Sequence, residues 1–264
     1  MLGSEVLNSA VSISEMFENE EIHMKHNSIR VGVITSSLTL FIALAVASCS
    51  TNRAEKSGSA TASTANTTKW TGHAASNFDT DHTGTLPAGW TGAETHGRGT
   101  PARWPVEKST NGSGNVLRIA ETKNSGSTFN LLLSSASYPS DVEIEAKIHA
   151  DRGEEDRGGG LVWRASDANN YYLTRWNPLE HDLRLYKVLN GERIEIRAAN
   201  IDTDADIWHK LEVRQRGTHI VVEFDGAKEI ECDDDAISAG GKVGFWTKAD
   251  AASSFDEFEV EFNR

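Results

Sequence analysis

The chain has 264 residues and a formal net charge of −13, with 22 Gly and 7 Trp but only 5 Pro. This length is enough for one large domain or two small ones. The acidic balance argues against a nucleic-acid-binding protein, because such proteins carry a basic surface that neutralises phosphates. It also argues against docking on an anionic membrane through charge alone.

An apolar run at residues 31–48 follows Lys25 and Arg30 and ends directly before Cys49. A basic segment, an apolar segment and small residues at a cleavage point are typical of a secretory signal. The closing letters VASC resemble the lipobox of bacterial lipoproteins, which implies cleavage before Cys49 and a lipid on its sulfur. The same resemblance, with Ser50 next, implies export and anchoring in the cell envelope at the outer membrane. A transmembrane anchor is the alternative, since the run approaches the length that spans a bilayer.

The stretch before the basic segment, residues 1–23, is acidic, which is unusual for a signal, so we expect translation to begin at Met24. We assign residues 1–48 to the signal peptide. Residues 49–76 hold the lipidated Cys and a Ser/Thr/Ala-rich stretch without a hydrophobic period, which predicts a flexible tether. Such a tether has a root-mean-square reach of roughly 30 Å, so an anchored domain could work away from the bilayer.

The remaining segment, residues 77–264, consists of strand and turn patterns. Residues 142–149 alternate apolar and polar side chains, the period of a half-buried strand, and residues 257–262 do so too. We count roughly a dozen strands and no convincing helix. The spacing predicts an all-β fold, a two-sheet antiparallel jelly-roll sandwich.

The clearest local signal is Asn190-Gly191, because a two-residue type I′ turn needs two residues that tolerate positive φ. Folding about this turn places Leu185 opposite Ile196 on an apolar face. On the polar face it places Tyr186 opposite Glu195. The hairpin therefore belongs to a sheet with one buried side and one polar side, and we expect function on the polar side.

Three segments resemble bacterial domains of the concanavalin A-like lectin/glucanase superfamily, and the 3-keto-disaccharide hydrolase domain is the nearest named relative. The first segment starts at residue 158 with GGGLVWRASDANNYYLTRWN, the second starts at residue 208 with WHKLEVRQRG, and the third starts at residue 240 with GGKVGFWTKAD. The resemblance covers nearly all of 77–264 and implies a concanavalin A-like jelly roll with one concave sheet. Since the superfamily contains enzymes, lectins and adhesion modules, it leaves the function open.

Aromatic rings, guanidinium groups and an amide are concentrated in residues 158–197. Rings that stack on sugar C–H faces, with amides and guanidiniums that bond hydroxyls, suit a saccharide. Structural cross-strand pairing explains the same residue types equally well. The candidate ligand-binding residues are Arg164, Tyr172, Arg175, Trp176, Asn177, Arg184 and Tyr186, with Trp246 and Lys248 from another strand.

Hydrolysis of a glycoside needs two carboxylates that flank the scissile bond. The sequence lacks the E-x-D-x-x-E motif of the superfamily's laminarinase-type glucanases. Glu143 and Glu145 are expected to lie on the solvent-exposed face of one strand. Glu180 and Asp182 lie in a short turn between two predicted strands, from which they could reach the polar sheet. They are the candidate catalytic residues.

Sandwich lectins often hold a structural calcium between the first and last strands, and the resemblance makes Asp79, Asp81 and Asp256 the candidate ligands. Solvated loop acids are the alternative, and Trp90 at the twelfth loop position excludes an EF-hand. We expect no other cofactor. Cys232 is the only Cys beyond the lipobox, so no internal disulfide can form.

These observations favour a monomeric, lipid-anchored, lectin-like domain of the cell envelope that binds a saccharide or envelope glycan. Two alternatives remain. One is a glycoside hydrolase that acts on disaccharides or 3-keto-glycosides, and the other is a structural or protein-interaction module of the envelope.

Overall fold

The computed structural model describes residues 69–98, 101–110, 114–120, 122, 124 and 128–263, so the predicted signal, Cys49 and most of the tether lie outside the described residues. The described residues form 15 strands and no helix. The strands are β1 (Gly72–Ser76), β2 (Trp90–Thr95), β3 (Val106–Lys108), β4 (Asn115–Arg118), β5 (Phe129–Ser134), β6 (Val142–Arg152), β7 (Gly159–Asp167), β8 (Asn170–Asn177), β9 (Asp182–Leu189), β10 (Glu192–Asn200), β11 (His209–Arg216), β12 (His219–Phe224), β13 (Ala227–Asp233), β14 (Lys242–Lys248) and β15 (Ala252–Phe262). None of the described residues belongs to a helix long and apolar enough to cross a membrane.

Two antiparallel sheets share these strands. The front sheet has the order β10-β9-β8-β7-β14-β5-β2, and the back sheet has the order β13-β12-β11-β6-β15-β4-β3, with β1 paired to β15. The predicted all-β jelly-roll sandwich is confirmed. Strand β1 falls within the stretch predicted as tether, so the sandwich takes in residues before position 77 because they pair with the last strand.

The main core lies between the sheets. The apolar side chains of the alternating strand β6, such as Ile144 and Ile148, are fully buried there, opposite Trp163 and Leu185 of the front sheet. Removing one such side chain from water stabilises the fold by about 1.5–3 kcal/mol. The period-2 prediction for residues 142–149 is therefore confirmed.

The β9–β10 hairpin turns at Asn190 and Gly191, which have φ of 54° and 86°, as the predicted turn requires. The predicted register holds near the turn, where Glu195 pairs with Tyr186. Farther away it is wrong, because a bulge between Glu195 and Arg197 adds a residue to one strand. Leu185 therefore pairs with Arg197 and not with Ile196.

The outer face of the front sheet is concave. Arg193 of β10 lies 4.9 Å from the ring of Phe129 of β5, although four strands separate these two in the sheet. In a flat sheet, strand spacings of about 4.8 Å would keep them roughly 24 Å apart. The curvature also brings the edge strand β2 to the β7–β8 turn, where the hydroxyl of Thr95 donates a 2.6 Å hydrogen bond to the backbone carbonyl of Ala168. This concave face is the side on which function was expected.

A second apolar cluster lies on the concave face, so the middle of the front sheet is buried on both sides. Its members include Leu131, Val162, Tyr171, Leu173, Tyr186 and Trp246. Polar groups therefore concentrate at the end of the face where β8 leads into β9.

Candidate functional site

A buried guanidinium lies at the centre of the polar end of the concave face, where β8 leads into β9. Arg175 is 2% exposed and donates from one nitrogen, Nη2, to Glu180 at 2.7 Å and to Asp182 at 3.0 Å. Strand pairing brings these residues together, because Arg175 lies opposite Arg184 and Asn177 lies opposite Asp182. Both candidate catalytic carboxylates are thus held by one nitrogen.

Arg184 extends this cluster to the surface. Its Nε donates to Asp182 at 2.5 Å and its Nη1 donates to Glu195 at 3.1 Å. Its Nη2 lies 3.4 Å from Glu180. Since the side chains of Arg184 and Glu180 are 35% and 43% exposed, they are the part of the cluster that a ligand can reach.

Asp156 adds a third carboxylate, which the sequence reasoning missed. It is 2% exposed and accepts a 2.9 Å hydrogen bond from Nδ2 of Asn177. Its other oxygen lies 3.4 Å from Nζ of Lys248 and 3.9 Å from Arg175. The only sequence signal was the acidic EED stretch at 154–156, which Arg157 separates from the glycine run at 158–160.

The carboxyl groups of this cluster are shifted in opposite directions. Burial raises the pKa of Asp156, and the nearby charges of Arg175 and Lys248 offset only part of that effect. Burial also acts to raise the pKa of Glu180, but the hydrogen bond and charge of Arg175, helped by Arg184, outweigh it and lower the pKa. One carboxyl therefore favours the protonated form more than usual, while the other favours the ionised form.

Three aromatic rings lie beside the cluster and beneath Arg193. The guanidinium carbon of Arg193 is 4.6 Å from the ring centre of Tyr186, 4.9 Å from that of Phe129 and 5.7 Å from that of Trp246. All three rings are buried. In this arrangement they support the guanidinium and offer no open face for sugar stacking, contrary to the sequence expectation.

The structure brings most of the predicted ligand-binding residues together and separates three from the rest. Those on the concave face are Arg175, Asn177, Arg184, Tyr186, Trp246 and Lys248. Tyr172 and Trp176 instead point into the main core, where Tyr172 stacks on Trp163 at 5.6 Å. Side chains alternate between the faces of a strand, so β8 cannot place Tyr172 or Trp176 on the same side as Arg175.

Arg164 also lies outside the cluster. It is buried, and its guanidinium donates to the backbone carbonyls of Ser140, Ile237 and Gly217 at 2.8, 2.6 and 2.8 Å. These carbonyls belong to three separate connecting segments. Arg164 is therefore a structural clamp, since its donors are already used within the protein.

The candidate calcium ligands do not form one centre. Asp79 accepts the backbone N–H of Asn115 at 2.8 Å, and Asp81 accepts that of Ala88 at 3.3 Å. Burial raises the pKa of Asp256, and the negative charges of Glu257 and Asp79 add to the effect. Among the residues that the structure describes, however, no group of three or more His, Cys, Asp or Glu could hold a metal ion.

No protein-family model matches this chain. The search of curated proteins also found no match. Solved structures do resemble it. A carbohydrate-binding module, CBM66, from Bacillus subtilis is 22% identical with a TM-score of 0.52, covering 66% of this chain and 95% of that one. A β-glucanase from Bacillus licheniformis is 13% identical with a TM-score of 0.51, covering 74% and 100%.

A Bacteroides ovatus mixed-linkage glucan enzyme of family GH16, solved with a product, is 12% identical with a TM-score of 0.50, covering 70% of this chain and 98% of that one. Identities this low establish a shared fold. The expected concanavalin A-like sandwich is thereby supported, whereas the 3-keto-disaccharide hydrolase relative and the lipoprotein signal stay predictions. This chain shares the two-sheet antiparallel jelly-roll sandwich of these structures.

Proposed function

We propose that this chain is a carbohydrate-recognition domain that binds a saccharide on the concave face of its front sheet. The observation that carries the proposal is the pair of reachable, fixed groups at one end of that face, Glu180 and Arg184. A carboxylate accepts hydrogen bonds from sugar hydroxyls, and a guanidinium donates to them.

The buried layer beneath this pair makes it suited to binding. Arg175 and Asp182 are almost fully buried. Arg175 bonds Glu180, Asp182 bonds Arg184, and Glu180 lies 3.4 Å from Arg184, so the rotation of the two exposed side chains is restricted. A ligand then loses little affinity to the ordering of side chains. Lys248, whose side chain is 23% exposed, supplies a further donor beside Asp156.

The comparisons support this proposal at the level of the fold. The similar structures are named as a carbohydrate-binding module and two glucan-directed enzymes, and they share this sandwich. A concave sheet in such a sandwich is a natural place for an extended polar ligand.

The test is a glycan-array screen of the purified protein, followed by titration calorimetry on the saccharides that bind. Arg184→Ala should weaken binding by about tenfold, the effect of one charge-assisted contact. Arg214→Ala is the matched control, because the Arg214 side chain is also 35% exposed and pairs with the carboxylates of Glu143 and Glu223, but on the back sheet. An array without any bound saccharide would contradict the proposal and favour an interaction module.

A glycoside hydrolase is the second candidate, and the opposite pKa shifts of Asp156 and Glu180 favour it. An acid with a raised pKa beside an ionised carboxylate is the arrangement that acid–base catalysis requires. Asp156 is almost fully buried and lies 3.4 Å from Nζ of Lys248, so catalysis would require a rearrangement that exposes its carboxyl group to the substrate. For this reason recognition is the first proposal.

The two functions separate in a release assay on the saccharides that bind. A hydrolase should lose product release in Asp156→Asn and Glu180→Gln while Asp156→Asn still binds. A recognition domain should release nothing, and only Glu180→Gln should lower its affinity.

We also propose that a lipid on Cys49 holds this domain at the cell envelope. The support is the apolar run and the lipobox-like VASC sequence. Metabolic labelling with radioactive palmitate checks this proposal, because the full-length protein should incorporate label and partition with membranes. Cys49→Ala should abolish the label. Equal labelling of both forms would contradict the assignment.

A further inference from the structure

A cavity of about 520 Å³ lies on the concave face next to the Arg175 cluster. Lys248 belongs to both, because it lines the cavity and contacts Asp156. The other residues that line the cavity are His96, Phe129, Asn190, Gly191, Glu192 and Arg193. A saccharide bound at Glu180 and Arg184 would thus have room to extend past Lys248 toward Arg193.

Arg193 differs from the other cations of this face. Arg175, Arg184 and Lys248 each lie within 3.5 Å of a carboxylate oxygen. Arg193 has no such partner among the residues that the structure describes, and its Nη1 is buried without a hydrogen-bond partner. A buried donor without a partner is costly, and a ligand oxygen that reached it would remove that cost.

The rings beneath Arg193 hold it in place without neutralising it. A guanidinium over aromatic rings within about 6 Å is attracted electrostatically and keeps its full positive charge. Its planar fork matches the geometry of a carboxylate. The chain as a whole has a net charge of −13, so an uncompensated guanidinium at a cavity wall is a local exception to the overall charge.

We propose that Arg193 recognises the acidic group of an anionic saccharide, either the carboxylate of a uronic acid or a sulfate ester. This inference rests on the proposed function and names its ligand class. The hydroxyls of the sugar would bond Glu180 and Arg184, while the acidic group would lie in the cavity against Arg193. Specificity for an anion would then come from Arg193, a cation of the site that has no acid partner within the described part of the chain.

The experiment is an array in which each anionic glycan is paired with its neutral counterpart, uronates with their methyl esters and sulfated glycans with their desulfated forms. The anionic member should bind at least about tenfold more tightly. The preference should weaken in high salt, because salt screens the interaction between exposed charges. A preference within the uronate pairs would identify the acidic group as a carboxylate, and a preference within the sulfated pairs would identify it as a sulfate ester.

Variants then assign the preference to Arg193. Arg193→Gln should remove it without changing affinity for the neutral members, and Arg193→Lys should keep part of it. Arg197→Gln is the matched control, since Arg197 lies on the same strand and is exposed, and its Nη1 bonds the carbonyl of Ile196. Thermal unfolding shows whether each variant is folded.

Equal affinity for charged and neutral members would overturn this inference and leave the proposed function intact. A preference that survives Arg193→Gln, or that Arg197→Gln removes equally, would overturn it as well. If no saccharide binds at all, the proposed function fails together with it.

Discussion

The backbone N–H of Asp156 donates a 2.9 Å hydrogen bond to the carboxylate of Asp250. Asp250 also accepts the N–H groups of Glu154 and Glu155, at 2.7 and 3.0 Å. Lys248, the partner of the Asp156 side chain, lies two residues before Asp250 in the chain. The turn after β14 therefore positions both the Asp156 carboxyl group and the Lys248 ammonium group at this edge of the candidate site.

Replacing Asp250 by Ala should loosen the 153–156 loop, whose backbone N–H groups it accepts, and weaken saccharide binding several-fold. A carboxylate that satisfies successive N–H groups acts like a helix N-cap, so stability should fall by ~1 kcal/mol. Urea unfolding and calorimetry measure the two effects. Asp235→Ala, which removes an exposed loop acid, is the control, and equal effects of both variants would contradict the positioning role.

The acid stability of the protein should depend on Asp250. Burial acts to raise its pKa, but the backbone N–H groups of Glu154, Asp156 and Glu155 outweigh this and lower it. A lowered pKa adds stability above the unfolded-state pKa of about 3.9, and that stability is lost as the pH falls through the folded-state value. The stability of Asp250→Ala in urea should therefore differ most from wild type at pH 6, and the difference should shrink as the pH falls below about 4. A constant difference across this range would rule out the linkage.

Arg164→Ala should destabilise the fold and spare ligand binding, because Arg164 clamps three connecting segments and lies outside the site. Three partly buried backbone carbonyls would lose a charged donor, which should cost ~3 kcal/mol. The urea midpoint of the variant measures this loss. A folded variant with normal stability and weakened saccharide binding would instead support a direct ligand role for Arg164.

Arg175→Met should be among the most damaging changes at the site. It would remove one of the two cations beside each of the buried carboxylates Asp156 and Asp182, leaving Lys248 and Arg184 as their remaining partners. Loss of one partner of a buried ion pair costs about 3–5 kcal/mol. Adding Asp182→Asn should recover part of the loss, since it removes one of the two buried charges that have lost a partner. A double-mutant cycle in urea measures this coupling. Additive losses would show that the Arg175–Asp182 pair does not act as a unit.

The sequence alone was sufficient for the architecture. Alternation at residues 142–149 and the turn at Asn190 and Gly191 are local signals, and both predict what the structure contains. Residues such as Arg175, Glu180 and Asp182 could be nominated as well, because they are close in sequence and one hairpin brings them together.

Only the tertiary structure decided which nominated residues share the site. The segment that contains Trp163, Arg164, Tyr172 and Trp176 is buried on both faces. The polarity of its side chains therefore does not show which face of the strand packs against the second sheet. Asp156 joined the site through contacts with Asp250 and Lys248, which lie more than 90 residues away. A period of two tells which residues point to the same side of a strand. The packing of the second sheet against the first decides which side becomes core and which becomes the concave face.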